Sequence, residues 1–204
     1  MITKLLELEP TRRNAILNAA LKEFATKGYT EASTNIIAKE AGISKGLMFH
    51  YVSSKENLFF AVYDYFANIM DTEYFKLMNF NIKDIFERLR QSYLLQLELA
   101  GKYPWIFELN KLSAASNPNE IKKELAKRTT KKQTSCDIFE GIDESKFRAG
   151  LDIEKCKQFI LWTNIGFTNQ ILEEVRNIEF DELDYDGIVK KLDENLQELK
   201  KIFY

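Results

Sequence analysis

Apolar residues recur every three to four positions along most of the chain, and no stretch of any length alternates apolar with polar as a half-buried strand would. The spacing of Ile16, Leu17, Ala20, Leu21 and Phe24 predicts a helix over residues 11–27, with Thr11 able to cap it and Gly28 as its stop. Ser33 stands as an N-cap before a short helix over 34–41, ended by Gly42. Ile43 and Ser44 then reopen the chain into another short helix over 45–52. Leu58, Phe59, Val62, Phe66, Ile69 and Met70 carry a long helix over 53–77, broken by the polar run from Asn79 to Asn81. Ile85, Phe86, Leu89, Tyr93, Leu94 and Leu97 mark the next, over 82–100.

Gly101 and Pro104 punctuate the chain before a bulky apolar segment over 105–113, and Pro118 sits well for the first turn of a helix to about 139. Residues 141–150 read as a polar loop. Asp152 can cap a helix over 153–175, and a final helix over 181–203 lines up Ile188, Val189, Leu192, Leu196, Leu199 and Phe203 as one stripe. The fold class is all-α, with about nine helices. Three helices within about forty residues, the last two joined by a turn containing glycine, are the helix-turn-helix pattern.

Composition narrows this picture. Hydrophobic residues at 45% and charged residues at 29% place the 204-residue chain among globular proteins and exclude the regime of disorder. The longest apolar stretch, 59–70, is interrupted by Asp64 and is shorter than the roughly 20 residues that cross a bilayer, so no membrane partner is expected. Two glutamates and no apolar core of signal-peptide length near the start make a cytoplasmic location the expectation. Cys136 and Cys156 lack metal-type spacing and read as buried or half-buried free thiols. His50, the one histidine, excludes sites built from several, so neither metal nor cofactor is expected and the chain is not read as an enzyme.

The net charge of −2 hides an asymmetry: residues 1–55 carry eight Lys and Arg against five Asp and Glu, a net of +3, which leaves 56–204 at −5. Only the first part suits an anionic polymer.

That first part also carries a dense motif. Gly28-Tyr29, the run Ile37-Ala38 to Ala41-Gly42-Ile43-Ser44-Lys45-Gly46, an aromatic patch of Phe49, His50 and Tyr51, and Ser54-Lys55-Glu56 with Leu58 resemble the N-terminal domain of the TetR (tetracycline repressor) family of bacterial transcriptional regulators. The resemblance implies a DNA-binding helix-turn-helix domain over 1–55 and a helical ligand-binding and dimerisation domain over 56–204. It also implies a repressor that binds a palindromic duplex operator as a homodimer and is released by a small effector. Thr34, Ser44, Lys45, Gly46, Leu47, Phe49, His50, Tyr51 and Lys55 occupy positions where the family contacts DNA, and Ser33 is a further candidate as a hydroxyl at a helix start. Leu47 stands where the family commonly has Thr and can pack on a thymine methyl; Phe49 stands where it commonly has Tyr, which removes a hydroxyl that Tyr51 partly supplies.

In the second part, the family implies an apolar cavity with a few polar anchors, suited to an apolar or amphipathic effector. Tyr93, Leu97, Trp105 and Trp162 are the candidate walls, and Glu108 and Asn169 the anchors, with Gln96, Asn164 and Gln170 behind them. The stripe of the last helix, together with Phe159, Trp162 and Gly166, predicts apolar surface for a homodimer. The rival reading is a helical carrier of small molecules whose helix-turn-helix is only structural.

Overall fold

The computed structural model describes residues 3–114, 117–129, 137–176 and 183–204. Among the described residues there are ten α-helices and no strand, as the periodicity implies. Two compact units form: Met1–Asp71 with Trp105–Thr134, and Thr72–Pro104 with Ser135–Tyr204. This division by packing differs from the boundary at residue 55 that the sequence leads one to expect.

The first unit begins with a single turn, α1 (Thr3–Leu6), then α2 (Pro10–Glu31), α3 (Thr34–Glu40), α4 (Lys45–Val52) and α5 (Lys55–Ile69). Glu9 starts α2 by accepting from the Thr11 amide at 3.2 Å. Gly28 breaks the helical path of α2 at the expected stop, although a further turn follows. With φ 70° and ψ 173° it kinks the helix, which resumes to Glu31. The bend presents Tyr29 to the core, where its ring meets the Phe59 edge at 5.3 Å and Phe59 meets Phe24 at 5.0 Å. Ile16, Leu17, Leu21, Ile37, Met48 and Leu58 are fully buried in this unit. After a 3-10 turn at Ile106–Glu108, α7 (Leu109–Ala114) packs on α2 and α5, and α8 (Asn119–Thr129) follows.

The long helix expected over 53–77 is shorter. α5 ends at Ile69 and passes into a wide π turn over Met70–Phe75. In the second unit α6 (Ile85–Lys102) starts three residues later than expected because Asp84 caps it, accepting from the Phe86 amide at 3.0 Å and the Glu87 amide at 3.4 Å. The helix expected to run to 139 is described over Asn119–Thr129, residues 130–136 lie outside the described residues, and Phe139 lies in a turn where the Asp137 carboxylate accepts its amide. A 3-10 turn at Glu144–Lys146 interrupts the expected loop before α9 (Ile153–Arg176). The last helix, α10 (Tyr185–Phe203), begins at its cap Asp184; the expected start at 181 lies outside the described residues, as does Cys136.

α6, α9 and α10 enclose the second core, built from Ile85, Phe86, Leu89, Tyr93, Cys156, Ile160, Leu192, Leu196, Leu199 and Phe203. Cys156 is a buried free thiol, as expected. The α10 stripe therefore faces its own chain, which corrects its expected role as exposed apolar surface. Of the residues expected to form that surface, the exposed ones lie on α9, where Phe159 and Trp162 are 49% and 57% exposed, with Ile165 at 47% beside them. The hydrogen-bonded anchor of the unit is Arg88, 0% exposed, whose guanidinium donates to the carbonyls of Phe80, Ile82, Ile138 and Glu140.

Candidate nucleic-acid interface

The turn between α3 and α4 is fixed by backbone geometry. Gly42 takes φ 68°, and the Ile43 and Gly42 amides return to the carbonyls of Ala38 and Lys39 at 3.0 and 3.1 Å. This is the Schellman arrangement that a left-handed residue after a helix completes. Ser44 then caps α4 by accepting from the Leu47 amide at 3.1 Å, and Ser33 caps α3 through the Ile36 amide at 3.5 Å. The hydroxyls proposed to meet phosphate are thus also the caps that start both helices.

α4 is pinned on one side by Met48 (0% exposed) and Val52 (2%). Its other side presents Lys45, Gly46, Leu47 and His50 to solvent. Phe49 and Tyr51 are half-buried at the margins: the Lys45 ammonium stands 6.0 Å from the Phe49 ring, and the His50 and Tyr51 rings meet edge-on at 5.7 Å. Thr34 is half-buried in the first turn of α3. Those ten candidates therefore fall on the two short helices and their caps, with Lys55 at the start of α5.

Lys55 is engaged inside the unit. Its ammonium donates to the Thr30 carbonyl at 3.0 Å and lies 5.1 Å above the Tyr29 ring. Burial holds its pKa below the ordinary value, against the upward pull of Glu23 and Glu31. Burial, with Glu56 adding to it, raises the Tyr29 phenol.

Two residues that the periodicity did not single out stand beside these positions. Glu23, 7% exposed, accepts the Ser33 amide at 2.8 Å and so ties α2 to the start of α3. A glutamate on the apolar side of α2 was the only signal for it. Asn35 is exposed in the first turn of α3 beside Thr34, with an amide of the kind that reads adenine edges.

The effector candidates separate. Tyr93 is buried in the second core and Leu97 is buried further along α6; the Tyr93 hydroxyl donates to the Asn164 carbonyl at 3.0 Å, and burial pushes its pKa up to about 12. Trp162 and Asn169 stand exposed on α9. Trp105 and Glu108 belong to the first unit, where Glu108 pairs with Lys111 at 2.7 Å. Gln96 joins a polar cluster, donating to the Ser92 hydroxyl at 2.9 Å and the Tyr74 hydroxyl at 3.3 Å.

Residues 16–62 match the family of bacterial regulatory proteins known as the tetR family. An uncharacterised helix-turn-helix transcriptional regulator of Bacillus subtilis, YuxN, is 36% identical over 86 residues, which are 42% of this chain and 28% of that protein. The chain thus spans little more than a quarter of that relative's length. The fold is similar to that of the ketosteroid transcriptional regulator KstR2 of Mycobacterium tuberculosis, with a TM-score of 0.56 at 20% identity over 96% of each chain. It is also similar to AibR, solved in complex with isovaleryl coenzyme A and operator DNA, with a TM-score of 0.51 at 20% identity over 89% of this chain and 95% of that one.

Proposed function

We propose that this chain, whose residues 16–62 match the tetR family, is a DNA-binding transcriptional regulator: a homodimeric repressor of a palindromic duplex operator, released by a small apolar or amphipathic effector. The carrying observation is the α3–Gly42–α4 pair, which exposes Lys45, Gly46, Leu47 and His50 from a helix held rigidly by Met48 and Val52. A helix of this diameter fits a major groove, where Leu47 packs on a thymine methyl, His50 meets a base edge or phosphate, and Lys45 neutralises a phosphate. The starts of α3 and α4 add Ser33, Thr34 and Ser44, whose amides and hydroxyls suit phosphate oxygens. Gly46 lets the backbone come close, and Phe49 and Tyr51 flank the contact, the latter with its hydroxyl. Lys55 acts by holding the end of α2 in place.

By role, residues 1–55 read DNA and 56–204 sense the effector and dimerise. Phe159, Trp162 and Ile165 support dimerisation through α9, and a two-fold axis would set two recognition helices about one DNA turn apart. A protein of this fold has been solved with an acyl-coenzyme A and operator DNA together, which supports an amphipathic effector. Tyr93 and Leu97 suit the apolar lining of such a site, and Trp162 suits the dimer surface better.

Selection of bound sequences from a random duplex pool, with a salt titration of the winners, tests the reading. A two-fold motif is expected, with log K falling against log salt by about 0.9 per neutralised phosphate. No duplex binding, or a flat salt response, would return the chain to the carrier reading.

A further inference from the structure

The first unit opens with an element outside the matched residues 16–62: α1, a single turn packed against the recognition helix α4. Three attachments hold it. Leu5 is 0% exposed, the Leu8 amide donates to the Leu5 carbonyl at 3.3 Å, and Arg13 of α2 donates to the Leu6 carbonyl at 3.4 Å. A four-residue turn has no stability of its own in water. Its order here comes from the burial of Leu5, and the turn as a whole packs on α4, the helix proposed to read DNA.

The residue beside the anchor is Lys4, and it is exposed. A helix seated in a groove about 12 Å wide fills it from wall to wall. With Lys45, Gly46, Leu47 and His50 of α4 turned to the groove, an element packed on the same helix would come near the phosphates that border it, at the reach of a lysine side chain. We propose that α1 is part of the DNA-binding surface, with Leu5 bracing α4 as a positioning residue and Lys4 neutralising a phosphate beside the groove. The inference rests on the reading of α4 as the duplex-reading helix.

Two measurements on the full chain test its two halves. In the free protein, Leu5→Ala is expected to speed hydrogen exchange at the amides of residues 48–52 by about tenfold or more, while α6 and α9 keep their protection. If Leu5→Ala unfolds the whole first unit, Leu5→Val gives the same comparison in milder form. Unchanged exchange in α4 for both variants overturns the brace. For the second half, Lys4→Gln is expected to make the salt slope of duplex binding shallower by about 0.9 for each half-site. An unchanged slope, with the parent protein binding normally, overturns the phosphate contact. A parent protein that binds no duplex at all overturns the regulator reading and the phosphate contact with it, and the exchange result still decides the brace.

Discussion

The Lys55 ammonium donates to the Thr30 carbonyl at 3.0 Å, joining the first residue of α5 to the last turn of α2 across the aromatic face of Tyr29. The bond satisfies one of the carbonyls that a helix end leaves without a partner. It also places a positive charge at the negative end of α2. Lys55 and Lys45 should therefore behave differently when removed. Lys55→Ala is expected to lower stability by about 1 kcal/mol and leave the salt slope of duplex binding intact, because its charge serves the fold. Lys45→Ala is expected to leave the unfolding midpoint unchanged and flatten the slope by about 0.9 for each half-site. Urea titration and binding isotherms at several salt concentrations separate the two; a flattened slope in Lys55→Ala would make it a phosphate ligand.

Ser53 closes α4 in a costly conformation. Its φ of 65° and ψ of −38° come with a hydrogen bond from the Ser54 amide to the Val52 carbonyl at 2.8 Å, which is a γ-turn of the strained hand. Such a backbone costs a residue with a Cβ about 1–3 kcal/mol, and glycine far less. Part of that relief is offset by the greater freedom of glycine in the unfolded chain. Ser53→Gly is thus expected to stabilise the protein by about 1 kcal/mol, read as a raised urea midpoint at constant m. A lowered midpoint would mean that the serine side chain contributes more than the strain costs.

How much of this was written along the chain depends on the range of the interaction. Ser33, Ser44 and Gly42 act within five residues of their partners, so their roles as caps and turn are visible as residue types at fixed spacing. The α10 stripe shows in the sequence as a buried face, since a 3.6-residue period says that a face is covered. Nothing in the period says by what, and the cover is α6 and α9 of the same chain. Glu23, Asp84 and Arg88 are less visible still. Each is a charged residue on a helix or its cap, which alone reads as solvated, and only tertiary structure supplies the amides, lysines and carbonyls that bury it. The Arg88 partners at Ile138 and Glu140 are 50 and 52 residues away. Lys55 was visible as a motif residue, and its bond to Thr30 was not, because it spans 25 residues.

Arg88 offers the largest expected loss of stability. Four backbone carbonyls, from two separate segments, converge on one guanidinium that is fully buried. Replacing it by methionine keeps much of the apolar volume and strands those carbonyls away from water. Each stranded group costs about 1–3 kcal/mol before relaxation, so Arg88→Met is expected to destabilise by on the order of 3 kcal/mol or more. Lysine should not rescue it, since a single ammonium cannot span the fork of sites that a planar guanidinium reaches. A loss under 1 kcal/mol in denaturant titrations would show that water replaces the guanidinium there.

Asp84 gives the second unit an acid-sensitive joint. Burial is the largest influence on its carboxyl and pushes the pKa up; hydrogen bonds from Lys146 and Lys200, the Glu87 amide and the Lys200 charge together outweigh it. The net position is below the usual 3.8. A folded-state pKa below the unfolded one means that the stabilisation is fully present above the unfolded value and is lost as pH falls through the folded one. Thermal midpoints should therefore drop below about pH 4. Asp84→Asn should lower the midpoint at neutral pH, where both lysines lose their anion, and flatten the acid limb. An acid limb unchanged in Asp84→Asn would assign that sensitivity to other carboxylates.

The exposed aromatic face of α9 carries the assembly prediction. Phe159 and Trp162 meet edge-on at 5.8 Å and are 49% and 57% exposed, with Ile165 at 47% beside them. Gly166 on the same helix has open space where a Cβ would stand, so a second helix can approach closely there. Large apolar groups clustered on one exposed face favour a partner surface, and an isologous contact lets the same patch cover itself in a second copy. Trp162→Glu should leave monomer stability within about 0.5 kcal/mol, since an exposed side chain adds little to the fold. It places like charges across the two-fold axis, so sedimentation equilibrium should find a monomer. Operator affinity should fall steeply in the same variant, because one recognition helix then binds without the second half-site. A variant that remains dimeric would move the interface off this face of α9, and retained affinity in a proven monomer would separate DNA binding from dimerisation.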